Sequence, residues 1–237
     1  MNARKAKKIL ATYTESMKPA LVCGWEHEEE AQRTGALLIA GVDEVGRGPL
    51  FGPVVAAAVI LPPDCRLQGL NDSKKLTEKK RLTLDAEIRA CALAWAIAEV
   101  DARTIDRINI LRASLLAMRL AVEQLQPAAD YLLIDGRNTI DWPTPQRAII
   151  KGDASSVSIA AASILAKVYR DTLIEKLDSE YPGYGLAKHK GYPTPAHLEA
   201  LKKLGLTPLH RRSFRPKALP TLFDNLGDES SFVNEKD

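Results

Sequence analysis

The segment 43–48, with the sequence DEVGRG, places two adjacent carboxylates before an arginine that lies between two glycines. It directly follows the apolar run 37–42, so the pattern predicts a strand that ends in a charged turn. Carboxylates at a strand end suit a hard divalent cation, glycines allow the backbone to approach a ligand closely, and arginine suits phosphate. A metal site beside a phosphate site indicates phosphoryl-transfer chemistry.

Aspartates recur at the same kind of position along the chain. Asp43, Asp135 and Asp153 each come just after an apolar run of strand-like composition, so they converge at one edge if the three strands are neighbours in a sheet. Each also has an ordinary interpretation, since Asp135 lies in a common turn dipeptide and Asp153 is placed to cap a helix. With Glu44 they form a group of four, and like charges about 4 Å apart repel by about 4 kcal/mol at an effective dielectric of about 20. Such a group favours divalent cations as its neutralising partner.

Asp43 and Glu44 are consecutive, so in a regular strand their side chains would face opposite sides of the sheet. Both can reach one ion only if the backbone bends, and Gly46 and Gly48 are well suited to a departure from extended geometry. The alternative is a solvated loop between two strands, which would not require an arginine between glycines. The segment is therefore more specific than its two acids alone.

The remaining pattern predicts an α/β fold with an antiparallel start and a mixed sheet. Strands are expected at 37–42, 54–61, 92–100, 131–134 and 147–150. Helices are expected at 78–90, 105–125 and 155–177, with Thr77 as the N-cap of the first. The start of the third helix is rich in Ala and Ser, which predicts close packing against the sheet.

Composition and charge limit the classes of protein. The chain has 237 residues, of which 46% are hydrophobic, enough for one sizeable domain, and its net charge of +3 leaves nucleic-acid binding to local clusters of Lys and Arg. Cys23, Cys65 and Cys91 are scattered without a CxxC pair, which favours free thiols in a reducing cytoplasm. The longest apolar run, 54–61, is too short for a bilayer, which needs about 20 residues. We expect a cytoplasmic protein without a membrane span.

Five motifs follow one another along the chain: DEVGRG at 43–48, NDSKKL at 71–76, LIDG at 133–136, KGD at 151–153 and HKGYPT at 189–194. Together they closely resemble the motifs of ribonuclease HII, a type 2 ribonuclease H, over about residues 37–215. The resemblance implies a ribonuclease H-like fold, with a central mixed five-stranded sheet flanked by helices and a small helical C-terminal extension. The catalytic domain, with that extension, is expected at 36–222, after a helical or flexible lead-in at 1–35 and before a disordered acidic tail at 223–237.

The resemblance also implies roles for individual residues. Four acidic metal ligands correspond to Asp43, Glu44, Asp135 and Asp153. The residues that would contact the ribose correspond to Gly46, Arg47, Gly48 and Tyr192. Candidate phosphate contacts around them are Ser73, Lys74, Lys75, Lys188, Lys190, Arg211, Arg212 and Arg215. The expected role of His189, His197 and His210 is capping or phosphate contact, since a metal-activated water needs no histidine base.

The implied activity is endonucleolytic cleavage of RNA in RNA/DNA hybrids, and cleavage on the 5′ side of a single ribonucleotide embedded in duplex DNA. It would use two metal ions, Mg²⁺ or Mn²⁺, and leave 3′-hydroxyl and 5′-phosphate ends. The expected partners are these duplexes, with no membrane, and the chain is expected to be a monomer. Alternatives are ribonuclease HIII, which carries a longer N-terminal domain, a junction resolvase of similar fold, and a noncatalytic hybrid-binding module.

Overall fold

The computed structural model of the protein describes residues 23–70, 73 and 76–216. Two predicted substrate contacts, Lys74 and Lys75, lie outside the described residues, as do residues 1–22 and the tail 223–237. The division of the chain at 35 and 222 therefore stays a prediction.

A five-stranded sheet forms the centre of the fold. Its strands are β1 (Ile39–Val45), β2 (Val54–Ile60), β3 (Ala94–Val100), β4 (Tyr131–Asp135) and β5 (Gln146–Ile149). They lie in the order β3-β2-β1-β4-β5, in which β1, β2 and β3 pair antiparallel while β4 runs parallel to both β1 and β5. The predicted α/β class, with its antiparallel start and mixed five-stranded sheet, is confirmed.

Seven α-helices are described: α1 (Glu26–Gln32), α2 (Glu78–Cys91), α3 (Ala102–Ile108), α4 (Ile110–Glu123), α5 (Val157–Glu180), α6 (Leu186–His189) and α7 (Pro195–Leu204). A short 3₁₀ turn, Gly152–Ala154, precedes α5. Thr77 caps α2 as predicted, because its side chain accepts a hydrogen bond from the Lys80 N–H. The single helix expected at 105–125 is two helices, since Asn109 takes a positive φ of 69° and its side chain caps α4. No helix in the described part of the chain is long and apolar enough to cross a membrane.

Helices cover both faces of the sheet. Alternate residues of β2 divide between the two layers: Val54 belongs to the core cluster that contains α4, whereas Val55 belongs to the cluster that contains α2 and α5. Every residue of β2 is buried. This explains why β2 is a continuous apolar run and does not alternate with polar residues.

Helix α5 lies directly against β1. A Cβ atom added to Gly41 would lie 2.0 Å from the carbonyl carbon of Ser158, so only glycine allows this approach of the helix to the strand. The following turns of α5, including Ala160 and Ala162, are buried, as their small side chains predict. The sheet residue two positions after Gly41 is Asp43, which faces the same helix.

The cysteine prediction is wrong for two of the three thiols. Cys65, in the loop after β2, forms a disulfide with Cys91, the last residue of α2, across a Cα–Cα distance of 6.3 Å. Cys23 is free. Because the two cysteines are separated by 26 residues, their contact depends on the way α2 returns to the end of β2, which their spacing does not show.

The expected helical extension is present as α6 and α7, which pack on Phe51 of the β1–β2 loop. Two buried histidines join these elements. His210 accepts a hydrogen bond from the Thr207 N–H at 2.9 Å and donates from Nε2 to His197 Nε2 at 3.2 Å. His197 in turn donates from Nδ1 to the Tyr192 carbonyl at 2.9 Å. Of the two roles expected for them, phosphate contact is excluded because both imidazoles are buried, whereas their bonds to backbone groups agree with capping.

Acid is expected to destabilise the fold through this histidine pair. Burial lowers the pKa of His197 to about 4, and burial and the neighbouring His197 lower the pKa of His210 to about 3. Both stay neutral in the folded state, whereas the same histidines in the unfolded state gain protons below about pH 6.5. Each one therefore lowers the free energy of unfolding by about 1.4 kcal/mol per pH unit as the pH falls towards its folded pKa. Thermal unfolding of His210→Asn should therefore show a shallower loss of Tm between pH 6.5 and 5 than the unchanged protein. Data at pH 8 supply the reference, and parallel pH slopes would contradict the assignment.

Candidate active site

The end of β1 and the end of β4 bring two aspartates side by side. Val42 of β1 is paired with Ile134 of β4, so the next residue of each parallel strand, Asp43 and Asp135, lies at the same edge of the sheet. Asp153 follows β5 in the 3₁₀ turn, and Asp135 Oδ1 accepts its N–H at 3.4 Å and the Gly152 N–H at 2.7 Å. The three aspartates thus lie at one edge of the sheet, and with Glu44, the residue after Asp43 in β1, they form the group that we name the carboxylate cluster.

The predicted end of the first strand is too early. Asp43 and Glu44 still belong to β1, where they pair with Ala57 and Ala56, and the chain leaves extended geometry only at Gly46, whose φ is +90°. Asp43 is 5% exposed and hydrogen-bonds to Ser163 of α5. Glu44 forms an ion pair with Arg47 at 2.9 Å. The backbone does not bend between the two acids, so their side chains keep different surroundings.

Negative charge is concentrated around Asp43. Burial raises the pKa of the Asp43 carboxyl well above its usual range, and the nearby charges of Glu44, Asp135 and Asp153 raise it further, while the Ser163 hydrogen bond opposes the shift. Each of the other three carboxylates therefore lies near enough to act on Asp43. An environment of this kind, in which burial and like charges disfavour an ionised carboxyl, is frequent at functional sites.

The donor chemistry of the cluster fits a hard divalent cation, because all its side-chain donors are carboxylate oxygens. Within residues 23–70, 73 and 76–216, however, no three acidic, histidine or cysteine side chains are arranged to hold an ion as they stand. Glu44 is held by Arg47, and Asp135 is held by the Gly152 amide. Ion binding would therefore require a side chain to reorient. The most direct change would be the release of Glu44 from Arg47.

The loop after β1 carries the predicted ribose-reading residues beside the cluster. The carbonyls of Gly46 and Arg47 accept hydrogen bonds from Arg211, at 2.6 Å and 3.1 Å. The ring of Tyr192, which is 41% exposed, lies 3.4 Å from the position of a Cβ on Gly48. The loop and Tyr192 therefore form one surface, which we name the reading surface and which consists of Gly46, Arg47, Gly48 and Tyr192.

Several predicted phosphate contacts have other partners. Arg211 is fully buried, so it is not a phosphate contact. Ser73 is also buried, and its hydroxyl bonds to that of Ser163 at 2.9 Å, behind Asp43. Lys190 forms an ion pair with Glu175, although one fifth of its side chain is exposed. Contact of Ser73 or Lys190 with substrate therefore stays a prediction.

Sequence reasoning missed Glu28, which belongs to a run of acids that was expected to lie outside the core. Glu28 is 2% exposed, and its Oε1 accepts hydrogen bonds from the Ser156 hydroxyl at 2.6 Å and the Ser158 N–H at 3.0 Å. It thereby caps α5 just after Asp153 and fastens α1 to the site. Its neighbours Glu29 and Glu30 are exposed acids of the same run, so the sequence carries no signal that distinguishes Glu28.

Comparisons with known proteins agree on one family. A family model described as Ribonuclease HII matches residues 40–217. Curated proteins named Ribonuclease HII from Enterococcus faecalis and Myxococcus xanthus are each 56% identical, over 81% and 80% of this chain and 74% and 65% of their own lengths. Among solved structures, the ribonuclease H2 of Pyrococcus horikoshii is similar with a TM-score of 0.67 at 27% identity, over 80% of this chain and all of that one.

Neutralising Asp43 is expected to stabilise the protein in a chelating buffer. Asp43→Asn removes a buried charge that three neighbouring carboxylates oppose, so Tm should rise, by about 2–4 °C for each kcal/mol of relieved repulsion. The measurement is thermal denaturation in EDTA. Asp141→Asn, a change at an exposed aspartate, is the control and should leave Tm unchanged. A lower Tm for Asp43→Asn would show that the cluster is not under repulsion.

Proposed function

Since the chain belongs to the ribonuclease HII family, it is a ribonuclease H that cuts RNA in RNA/DNA hybrids, and we propose that it does so with divalent cations at the carboxylate cluster. One observation carries this proposal: Asp43 is nearly inaccessible to solvent, yet three other carboxylates act on it. A surface meant only to bind phosphates should not be lined in this way, because like charges repel the substrate. Cations bound by the carboxylates would neutralise them and so allow the substrate phosphates to approach.

Mg²⁺ is the expected ion, and Mn²⁺ fits the same oxygen donors. A pair of such ions, when bound with substrate, would activate a water and stabilise the leaving oxygen on the two sides of the scissile phosphate. Asp43, Glu44, Asp135 and Asp153 would hold these ions, with Asp43 proposed as the ligand common to both. Asp135, already oriented by the Gly152 amide, is well placed to keep its position when substrate arrives.

The chain's own residues supply the orientation. Ser163 donates to Asp43 from α5, which fixes this carboxylate from behind. Arg47 neutralises Glu44 in the absence of ions, and its side chain is half exposed, so it is free to turn to a phosphate when Glu44 turns to a cation. This exchange of partners would couple substrate binding to completion of the site.

The reading surface would select RNA over DNA. The 2′-hydroxyl is the one group that distinguishes the two sugars at a given position, and the backbone of Gly46 and Gly48 permits close approach to it. Tyr192 would hydrogen-bond to this ribose and pack on the sugar of the next nucleotide. Such local reading needs only one ribonucleotide, so we propose cleavage 5′ of single ribonucleotides in duplex DNA as well, with 3′-hydroxyl and 5′-phosphate products.

The remaining basic residues would position the duplex without reading its sequence. Contacts are proposed from Lys74, Lys75, Lys188, Lys190, Arg212 and Arg215, with Ser73 beside them. Binding through such contacts weakens with salt. A monomer in the cytoplasm is the expected state.

Loss of one carboxylate is expected to abolish cleavage. Asp135→Asn should lower the rate on an RNA/DNA hybrid by at least about 100-fold in Mg²⁺, because it removes a ligand charge while the amide oxygen can still accept from Gly152. The assay is incubation of labelled hybrid, and of duplex DNA with one ribonucleotide, in Mg²⁺, Mn²⁺ and EDTA. Hybrid binding by the variant in Mg²⁺ should persist, because its basic contacts are unchanged. Asp141→Asn serves as the control, and full turnover by Asp135→Asn would refute the metal site.

Tyr192 is expected to affect chemistry more than docking. Tyr192→Ala should lose at least about tenfold in kcat on a single embedded ribonucleotide, since misplacement of the reacting groups is costly, while duplex affinity changes much less. Tyr169, a similarly exposed tyrosine on α5, supplies the control Tyr169→Ala. Product ends mapped on a gel locate the cut. Equal losses of kcat and affinity would reduce Tyr192 to a docking residue.

A further inference from the structure

Two arginines are fully buried between α5 and the β1–β2 loop. Arg170 belongs to α5 and Arg211 follows α7, and both have an exposed fraction of 0%. In the described part of the chain, neither guanidinium forms an ion pair with a carboxylate. Burial is the main reason that the pKa of Arg211 falls to about 9, and the charge of Arg170 lowers it further. Two unpaired like charges beneath one loop are costly, so their contacts require an explanation.

Every hydrogen bond described for these guanidiniums goes to a backbone carbonyl. Arg211 donates to the carbonyls of Gly46 at 2.6 Å, Gly52 at 3.0 Å and Arg47 at 3.1 Å. Arg170 donates to those of Phe51 at 3.1 Å, Pro53 at 3.2 Å and Lys190 at 3.2 Å. Five of the six acceptors belong to residues 46–53, the loop that carries the ribose-reading glycines.

We infer that Arg170 and Arg211 are positioning residues that set the backbone of residues 46–53, and thereby the reading surface, for catalysis. We name the pair the arginine clamp. This inference rests on the proposed function, since the loop matters for chemistry only if it meets the substrate. The clamp itself is a property of the fold and can be measured without any substrate.

The clamp also fixes the side of the loop to which two backbone N–H groups point. In a planar trans peptide the C=O of one residue and the N–H of the next point in opposite directions. Because Arg211 holds the carbonyls of Gly46 and Arg47, the N–H groups of Arg47 and Gly48 point away from it. These two donors are thereby directed to the side opposite the clamp, where they suit a phosphate or a ribose hydroxyl.

The clamp also explains the glycine at position 46. A Cβ atom there would lie 2.3 Å from Arg170 Nε, so any side chain would displace the guanidinium. Arg170 further holds the carbonyl of Lys190, two residues before Tyr192. Arg170 therefore joins the loop at Phe51 and Pro53 to the segment that leads to Tyr192. Lysine cannot replace it fully, because its single ammonium lacks the planar fork that reaches carbonyls in several directions.

The test compares Arg170→Lys and Arg211→Lys with the unchanged protein. Both variants keep the positive charge and remove the fork. Hydrogen exchange of the loop amides, measured without substrate or metal, should speed up by at least about tenfold as the loop is released. On hybrid substrate in Mg²⁺, kcat should fall by at least about tenfold, whereas hybrid affinity in EDTA should change by less than about threefold.

The control for simple destabilisation is Leu84→Ala. Leu84 is buried where α2 packs on α5, away from the loop, so its truncation lowers Tm without touching the clamp. At a temperature well below every Tm, Leu84→Ala should keep both kcat and loop exchange near those of the unchanged protein.

Each result decides one point. Loop exchange and kcat near normal in both lysine variants would overturn the inference, as would equal losses in Leu84→Ala. Faster loop exchange without a change of kcat would also overturn it, since the loop would then not serve catalysis. If the unchanged protein fails to cut any hybrid, the proposed function fails, whereas the exchange data still decide whether the two arginines hold the loop.

Discussion

The close contact of helix α5 with strand β1 at Gly41 is the constraint on which the site depends. Because a Cβ at this position would overlap the Ser158 backbone, the helix lies directly on the strand that carries Asp43. The same helix then delivers three parts of the site: Asp153 lies just before its start, Ser163 bonds to Asp43 from its second turn, and Arg170 holds the β1–β2 loop. A shift of this one packing contact would move all three together.

The site concentrates charge of both signs on the two sides of one loop. The carboxylate cluster lies at the sheet edge before the loop, and the guanidiniums of the arginine clamp lie beneath it. Each group is under repulsion when the protein is alone. Proteins commonly accept such a loss of stability where activity requires it. On the proposed function, cations neutralise the acids, while the substrate meets the backbone N–H groups on the side of the loop opposite the buried arginines.

Local patterns predicted much of the architecture. The apolar runs located all five strands, and Thr77 was identified as a cap because capping depends on neighbouring residues only. Asn109 broke an expected helix because one positive φ outweighs the periodicity of its flanking residues. Among candidate site residues, the acids were recognisable since they follow strands and stand in family motifs. Glu28 and Arg170 were not, because their roles depend on partners about 130 and 120 residues distant.

From the order of residues alone came the class of fold, the family and the candidate acids of the site, because these depend on periodicity and short motifs. Which residues lie close to one another was decided by the tertiary structure. The Cys65–Cys91 disulfide, the burial of Arg211 and the capping of α5 by Glu28 all join distant segments. Side chains of the same type have opposite roles according to burial: Arg47 is half exposed beside Glu44, whereas Arg211 is buried under the Arg47 carbonyl. Residue type specifies what a group can bind, and packing specifies which partner reaches it.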